Sequence, residues 1–417
     1  MTRAFWVALL GLGYVLGLFA LAYAADRARE RGRSPVDHPL VYSLSLAVYC
    51  TEWTFYGSIG RAASKGMGFL PIYLGPTLVF FLAPLALRKM VAYCRSRGIT
   101  TLPDLLEELY GKGSALGALA TFILVAGVTP YIGLQLKAVG HTFDLLTGRL
   151  AGTGVLRDAA FWAALGLAMF AVLFGARTLV VSERHEGMVA AVAFESAVKL
   201  GAFLVLGAYI TWGIGGGFGK IFSEALAHPE FKDILVLGPK TTVPEWVTLG
   251  VLSMAAIVLL PRQFHMLVVE NVRERHLRQA SWIFPTYLLL MNLFVLPVAL
   301  VGLLAHAPGP PDTFLITLPL SRGHTGLAAL AFLGGFSAAA SMVIVSSVAL
   351  ATMILHHPGI AILGKFSPAI GTETSRDLSR RLLLAKRVFI FGVVLLGYGF
   401  YRWIGESQTL VNIGLLS

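Results

Sequence analysis

A carboxylate inside an apolar run is the first place where this sequence offers chemistry. Glu52 stands within the stretch 40–84, a run of membrane-spanning length that also carries Thr51, Trp53, Thr54, Tyr56, Gly57 and Ser58. A carboxylate at membrane depth is costly by several kcal/mol unless it meets a partner, water or a ligand. Interrupted helices provide such places, because freed carbonyls and half-helix ends can hold a cation or a polar solute near the midplane. The stretch therefore predicts a broken helix with Glu52, Trp53 and Tyr56 facing a bound solute. The alternative is a helix that emerges into water after Thr51, leaving Glu52 at the interface.

Other polar residues sit in apolar surroundings. Pro130 removes a backbone hydrogen bond from the run TPYIGLQLKAVGH, freeing a carbonyl close to Tyr131 and Gln135, which join the candidate solute contacts. Glu195 and Lys199 are four residues apart with the acid on the amino-terminal side, a spacing that predicts a structural ion pair on one helix face. Pro261, Arg262, Gln263 and His265 fall near the end of another apolar run, where snorkelling to the interface is the default expectation. His356 and His357 are adjacent, so they point to different faces, which argues against a shared metal. In LGGFSAAASMVIVSSVALATM, Gly334, Gly335, Ala338, Ala339 and Ala340 permit close helix packing. The same run places Ser337 and Ser341 one helical turn apart, and two hydroxyls facing carbonyls of a broken helix would suit a sodium ion.

The elements that must position these residues are membrane helices. The chain is 56% hydrophobic and 13% charged with mean hydropathy +0.75, and apolar runs of spanning length recur along it. Spans are expected near 5–25, 40–60, 69–90, 114–146, 159–175, 187–212, 246–269, 281–304, 326–355 and 385–403, with an incomplete eleventh over 408–417. The net charge of +11 does not point to nucleic acid, since the basic residues are spread over short connectors. Alternate connectors are basic, beginning with Arg27, Arg29, Arg31 and Arg33. The positive-inside rule then puts the amino terminus outside an inner (plasma) membrane. The run 5–25 reads as a retained helix rather than a cleaved signal. Cys50 and Cys94 fall at different depths, so no disulfide or metal cluster follows. The glycines of 213–219 read as a loop and the prolines of 305–325 as a rigid link, and no connector is large enough for a soluble domain. A facing nucleophile and base are not found, so the chain does not read as an enzyme.

Taken together, CTEWTFYGSIGRAASKGMGFLPIYLGP, TLPDLLEELYG, TPYIGLQLKAVG, FGARTLVVSERHEGMVAAVAFESAVKL, LPRQFHMLVVEN and SMVIVSSVALATM resemble the sodium:solute symporter family. The resemblance is closest to the branch whose symporter-like domain forms the amino-terminal part of sensor histidine kinases. It implies an all-α polytopic fold of the leucine-transporter-like type, a five-plus-five inverted repeat preceded by one extra helix, with the whole of 1–417 as one symporter-like transmembrane domain. It also implies a sodium site, carried onto this chain as the backbone oxygens of Ala47 and Cys50 with the hydroxyls of Ser337 and Ser341. Two positions depart from the pattern: Tyr49 stands where many members carry an acid, and Ala340 where a Ser or Thr is usual.

The expectation is sodium-coupled transport of a small polar solute, an amino acid or organic acid, with no cofactor beyond the coupling ion and the lipid bilayer as surroundings. The alternative is the solute-sensing input domain of a histidine kinase, which would meet its kinase and response regulator only through a longer parent protein. The last apolar run, TLVNIGLLS, stops after about nine residues, ~14 Å against a hydrocarbon core of about 30 Å. The chain is therefore expected to be truncated in its eleventh helix.

Overall fold

A computed structural model describes residues 3–111, 114–148, 154–176, 185–238, 240–359 and 375–404; the incomplete helix expected over 408–417 lies outside them. The described residues form helices joined by turns and short connectors, without strands. In chain order the helices are α1 (Arg3–Glu30), α2 (Pro39–Leu46), α3 (Ser58–Lys65), α4 (Pro71–Leu82), α5 (Pro84–Arg97), α6 (Leu102–Tyr110), α7 (Ser114–Thr147), α8 (Ala159–Gly175) and α9 (Glu186–Ala208). They continue with α10 (Phe218–Ala227), α11 (Pro229–Leu235), α12 (Val243–Leu259), α13 (Pro261–Phe264), α14 (Glu274–Asn292), α15 (Val295–Leu304), α16 (Phe314–Ser321), α17 (Thr325–Ile354) and α18 (Ser375–Ile404). Among the described residues, six stretches are long and apolar enough to span a bilayer, and up to eight if each of two bent helix pairs is one span.

The connectors differ from the expected loops. The glycine-rich segment leads into α10 and α11, and the proline-rich one into a short turn at Pro311–Thr313 followed by α16. Gly216 and Gly217 have φ of 76° and 100°, which lets the chain reverse after the Tyr209–Ile214 π turn.

The molecule is built around α17, which packs against α7, α8, α9, α16 and α18. It is buried over most of its length, from Ala328 to Met353. The small residues of its first half let this happen. A Cβ at Gly334 would lie 2.5 Å from the Phe55 ring, and one at Gly335 2.3 Å from the Tyr56 ring. The α17 backbone therefore touches the stretch that carries Glu52.

That stretch is broken. α2 starts at Pro39, whose missing N–H is harmless in a first turn, with the His38 side chain accepting from Leu40 N as cap. It tightens to a 3₁₀ turn at Ala47–Tyr49, opens at Cys50 (φ −79°, ψ 96°), and resumes as a π turn over Trp53–Gly57 that runs into α3. A second break separates α12 from α13, with a bend of 52°. Its cause is local: Pro261 has no N–H to donate, and it forces Leu260 into extended backbone (ψ 126°).

Candidate functional site

The break in α2 frees carbonyls that neighbouring helices claim. Gln263, carried by α13, donates its Nε2 to Leu46 O at 3.1 Å. Lys199, from α9, donates its Nζ to Ala47 O at 2.8 Å and to Cys50 O at 2.7 Å, and reaches Ser341 Oγ on α17 at 3.4 Å. Three of the four oxygens expected to hold sodium thus meet around one point, and the Lys199 ammonium stands there. Ser337 is the exception. Its hydroxyl donates to Glu195 O at 2.7 Å and accepts from Tyr14 at 2.8 Å, one turn away from the cluster.

The Glu195–Lys199 pair is not formed as the spacing suggested. Lys199 directs its donors at the broken helix, while both carboxylate oxygens of Glu195 are buried without a hydrogen-bond partner among the described residues. Three carbonyl and hydroxyl oxygens outcompete one carboxylate here because they match the three N–H donors of an ammonium. Bringing a second positive unit charge, such as a sodium ion, to about 4 Å from that ammonium would be unfavourable by about 4 kcal/mol at an effective dielectric of about 20.

Beyond the break, the candidate solute contacts come together against α7. Glu52 N donates to Gln135 Oε1 at 3.1 Å, and Thr51 Oγ1 and Tyr131 OH are 2.8 Å apart. Glu52 and Gln135 are fully buried and Trp53 and Tyr56 nearly so, so Glu52 does not stand exposed to solvent. Tyr56 is spent on structure, donating to Ala331 O at 2.8 Å. The others are not. Both Glu52 carboxylate oxygens, Trp53 Nε1 and Gln135 Nε2 are buried without a hydrogen-bond partner among the described residues.

Arg262 was expected to snorkel, but it is only 4% exposed. Its guanidinium stacks over the Tyr131 ring, 5.0 Å from the centroid, and its Nε is unpartnered. The Pro261 break explains this, since it turns α13 back toward the centre of the molecule. Gln263, expected to snorkel with Arg262, is fully buried as well and donates to the broken helix, and Asp312 is a residue that the sequence did not single out. Asp312, on the turn before α16, is an acidic neighbour of Glu52 and packs against Gly60. The available signal for Gln263 was the break at Pro261; for Asp312, alone in a connector, there was none.

Away from this centre, the ends of the bundle carry tied-down acids. Glu270 Oε1 lies 2.8 Å from His185 Nδ1 and 3.1 Å from His265 Nε2, and its Oε2 accepts from His185 N. The ligand-type atoms of His185, His265 and Glu270 fall within 4.8 Å of one another, close enough to hold a metal ion, but the same atoms already satisfy each other. The two adjacent histidines do share one acid: His356 and His357 both approach Asp104, at 3.5 and 3.1 Å. Cys50 and Cys94 are free and buried. A groove of about 730 Å³ lined by His38, Leu40, Arg275, His276 and Trp282 opens at the start of α2 and α14 and touches none of the candidate site residues.

No family model matches the chain. It is similar to a symporter of Bacillus subtilis (strain 168), YhjB, at 27% identity over 271 residues, which are 63% of this chain and 51% of the relative. It is also similar to a symporter of Escherichia coli (strain K12), YidK, at 31% identity over 170 residues, 38% of this chain and 28% of the relative. The chain thus spans about half or less of these curated relatives, both described as uncharacterized symporters. Among solved structures, the fold matches a Na⁺-coupled sialic acid symporter in a substrate-bound outward-open state, with a TM-score of 0.69 and 14% identity, over 100% of this chain and 84% of that one. The class is therefore that of multi-pass helical membrane proteins with a symporter fold. The relatives are transporters rather than enzymes. They lend no support to the sensor-kinase branch.

Proposed function

We propose that this chain forms the helical body of a secondary transporter for a small polar solute, an amino acid or organic acid, held beside the break in α2. The single observation that carries this is the set of unmatched polar atoms on Glu52, Trp53 and Gln135, buried next to an unwound backbone segment. Buried polar groups are nearly always satisfied, so a cluster of orphans calls for a partner that comes and goes. Gln135 Nε2, Trp53 Nε1 and Arg262 Nε are donors suited to a carboxylate, and the Glu52 carboxylate is an acceptor suited to an ammonium. A zwitterionic amino acid would use both. The broken helices at Cys50 and Pro261 head the two groups of five helices in the proposed inverted repeat, with the amino terminus outside an inner membrane.

Coupling belongs to the oxygens of Ala47, Cys50 and Ser341. In the expected reading a sodium ion sits there, and it would have to displace the Lys199 ammonium to do so. Uptake of a panel of labelled amino acids and organic acids into proteoliposomes tests the function. A panel member accumulates in the wild type, and Glu52→Gln together with Gln135→Ala abolishes it without unfolding the protein. No accumulation of any member, or accumulation indifferent to both substitutions, overturns the reading.

A further inference from the structure

The end of the bundle where α1 stops and α2 and α14 begin is rich in arginine, and its guanidinium groups are of two kinds. Arg273 clasps Asp37, its Nε donating to Oδ1 at 2.7 Å, and Arg95 donates to the Asn271 carbonyl and to Asn271 Oδ1 at 3.1 Å. Arg275 and Arg278 are exposed and have no hydrogen bond or ion pair with a described residue. Both line the groove of about 730 Å³ between the starts of the two helices. So does His276, only 1% exposed, with neither ring nitrogen hydrogen-bonded among the described residues and Nε2 3.5 Å from Asp37 Oδ1. Beside these groups the lining turns apolar, with Leu40, Trp282 and Ile283. Arg275, Arg278 and Trp282 stand at i, i+3 and i+7, one stripe of α14 that the exposed Leu289 continues. The stripe therefore passes from charge to hydrocarbon over about 10 Å at 1.5 Å per residue, at the start of a segment apolar enough to span a bilayer. We propose that this groove binds an anionic glycerophospholipid, its phosphate on Arg275 and Arg278 and an acyl chain along Trp282 and Leu289. The site lies outside the solute reading and does not depend on it.

The planar donors of a guanidinium match phosphate oxygens, and two of them one turn apart bring two positive charges to a single headgroup. A zwitterionic headgroup would carry its own cation into the same place, so the pair selects net negative charge. Basic pockets between membrane helices hold anionic headgroups for this reason. His276 adds polarity of both kinds, since a neutral imidazole has one donor and one acceptor, suited to a phosphate oxygen and a headgroup hydroxyl. Trp282 marks the depth. It is 67% exposed, its ring is held edge-on to Phe81 at 5.0 Å, and tryptophan gathers at the level of the headgroups. A free phosphate ion would use the cationic half of the groove alone and leave Leu40 and Ile283 facing water, whereas a lipid covers both halves. A bound lipid would also give α14 and α2 a second link beside the clasp of Arg273 on Asp37.

Competition binding on the whole 417-residue chain in an uncharged detergent decides this. Labelled short-chain phosphatidylglycerol should bind the wild type saturably, be displaced by unlabelled phosphatidylserine, and withstand equal concentrations of phosphatidylcholine or of free glycerophosphate. Displacement by phosphatidylcholine would mean an unselective apolar groove, and displacement by glycerophosphate a site for soluble phosphates; either overturns the inference, as does the absence of saturable binding. Arg275→Gln combined with Arg278→Gln should weaken phosphatidylglycerol binding by about tenfold or more, while Arg31→Gln combined with Arg33→Gln, the same loss of charge at the same end but outside the groove, should change it less than about twofold. Equal losses in the two double variants would mean diffuse attraction to a basic surface and overturn the site. Trp282→Ala should weaken the lipid as well, and unaltered binding would remove the acyl contact from the proposal. Thermal unfolding supplies an independent readout, because a ligand bound only to the folded state raises its melting temperature. Phosphatidylglycerol should raise that of the wild type and leave that of Arg275→Gln with Arg278→Gln unchanged, and an equal rise in both overturns the inference.

Discussion

Two groups of buried polar atoms lie within a few residues of each other on the broken helix, and they are treated in opposite ways. Around Ala47 and Cys50 the carbonyls have donors from Lys199 and Gln263, and each of these helices is pinned to the break. Around Glu52 and Gln135, the backbone contact is made but the carboxylate, the amide nitrogen and the Trp53 indole are left without partners. A satisfied buried network fixes structure, and an unsatisfied one of the same polarity is costly to keep, which is why the solute is proposed to bind there. Stability should therefore depend on the first group and affinity on the second.

The largest effect expected follows from Lys199. Lys199→Met fills the same space but strips the donors from two buried carbonyls. Hydrogen bonds to charged groups are worth about 1.5–3 kcal/mol each, so a net loss of about 3 kcal/mol is expected after relief of the desolvation cost. Glu195→Gln should be near neutral or slightly stabilising, since it removes a buried carboxylate that has no hydrogen-bond partner. Thermal unfolding in detergent of both single variants and the double variant makes the check. If Glu195→Gln is as damaging as Lys199→Met and the double variant recovers stability, the two residues are an ion pair after all and the distinction drawn here collapses.

Next comes the contact that presses the two groups together. Gly335→Ala would place a methyl 2.3 Å from the Tyr56 ring, which hydrogen bonds to Ala331 O and cannot swing freely. Overpacking of this kind typically destabilises by about 1–3 kcal/mol. Gly326→Ala, on the same helix with open space around it, should be neutral or mildly favourable. Equal melting temperatures for the two variants would mean that the close approach of α17 to the broken segment is not real.

The unsatisfied group should respond in the other currency. Glu52→Gln is expected to leave the melting temperature within the range of ordinary surface changes, about 0.5 kcal/mol, or to raise it. Amino-acid affinity should fall at least tenfold, which corresponds to about 1.4 kcal/mol. Binding of labelled amino acids at several concentrations separates the two effects. A strongly destabilised Glu52→Gln variant with intact affinity would assign Glu52 to structure.

The sequence made the broken segment legible because a glutamate among four hydroxyl residues is costly in lipid, so its presence in an apolar run had to mean an interruption or an exit from the membrane. It did not reveal what stabilises the break. No proline or glycine stands between Leu46 and Glu52, and the freed carbonyls are held by Lys199 and Gln263, more than a hundred residues away. Spacing along α9 pointed Lys199 at Glu195, and only the packed structure turns it toward α2. The break at Pro261 was the reverse case. Its signal was local and strong, yet reading 246–269 as one helix hid it, and with it the inward positions of Arg262 and Gln263. The small-residue run of α17 was readable as a close-packing face, whereas which of its serines meets the cation cluster depended on a register that the sequence does not encode.

The smallest effect belongs to the edge of the bundle, where acids meet partners more locally. Asp104 is the third residue of α6 and closes a capping box: its carboxylate accepts from Thr101 N at 2.9 Å while Thr101 Oγ1 accepts from Asp104 N at 3.2 Å. Burial alone would raise its pKa, but hydrogen bonds and charge from His356 and His357, with Thr101, hold it well below the usual carboxylate range. The sign follows directly. A carboxylate whose folded-state pKa is depressed contributes stability that is fully present above its unfolded value, about 3.9, and that drains away as pH falls below it. The limiting slope is about 1.4 kcal/mol per pH unit, and solvent screening at a side chain that is 22% exposed reduces it to a fraction of that. Asp104→Asn should therefore be less stable than the wild type above about pH 4 and converge with it in stronger acid, because only the wild type has this contribution to lose. Melting temperatures of the two proteins taken from neutral pH downward make the comparison, and curves that run parallel throughout would show that the Asp104 carboxylate is not held below its ordinary range by the two histidines and Thr101.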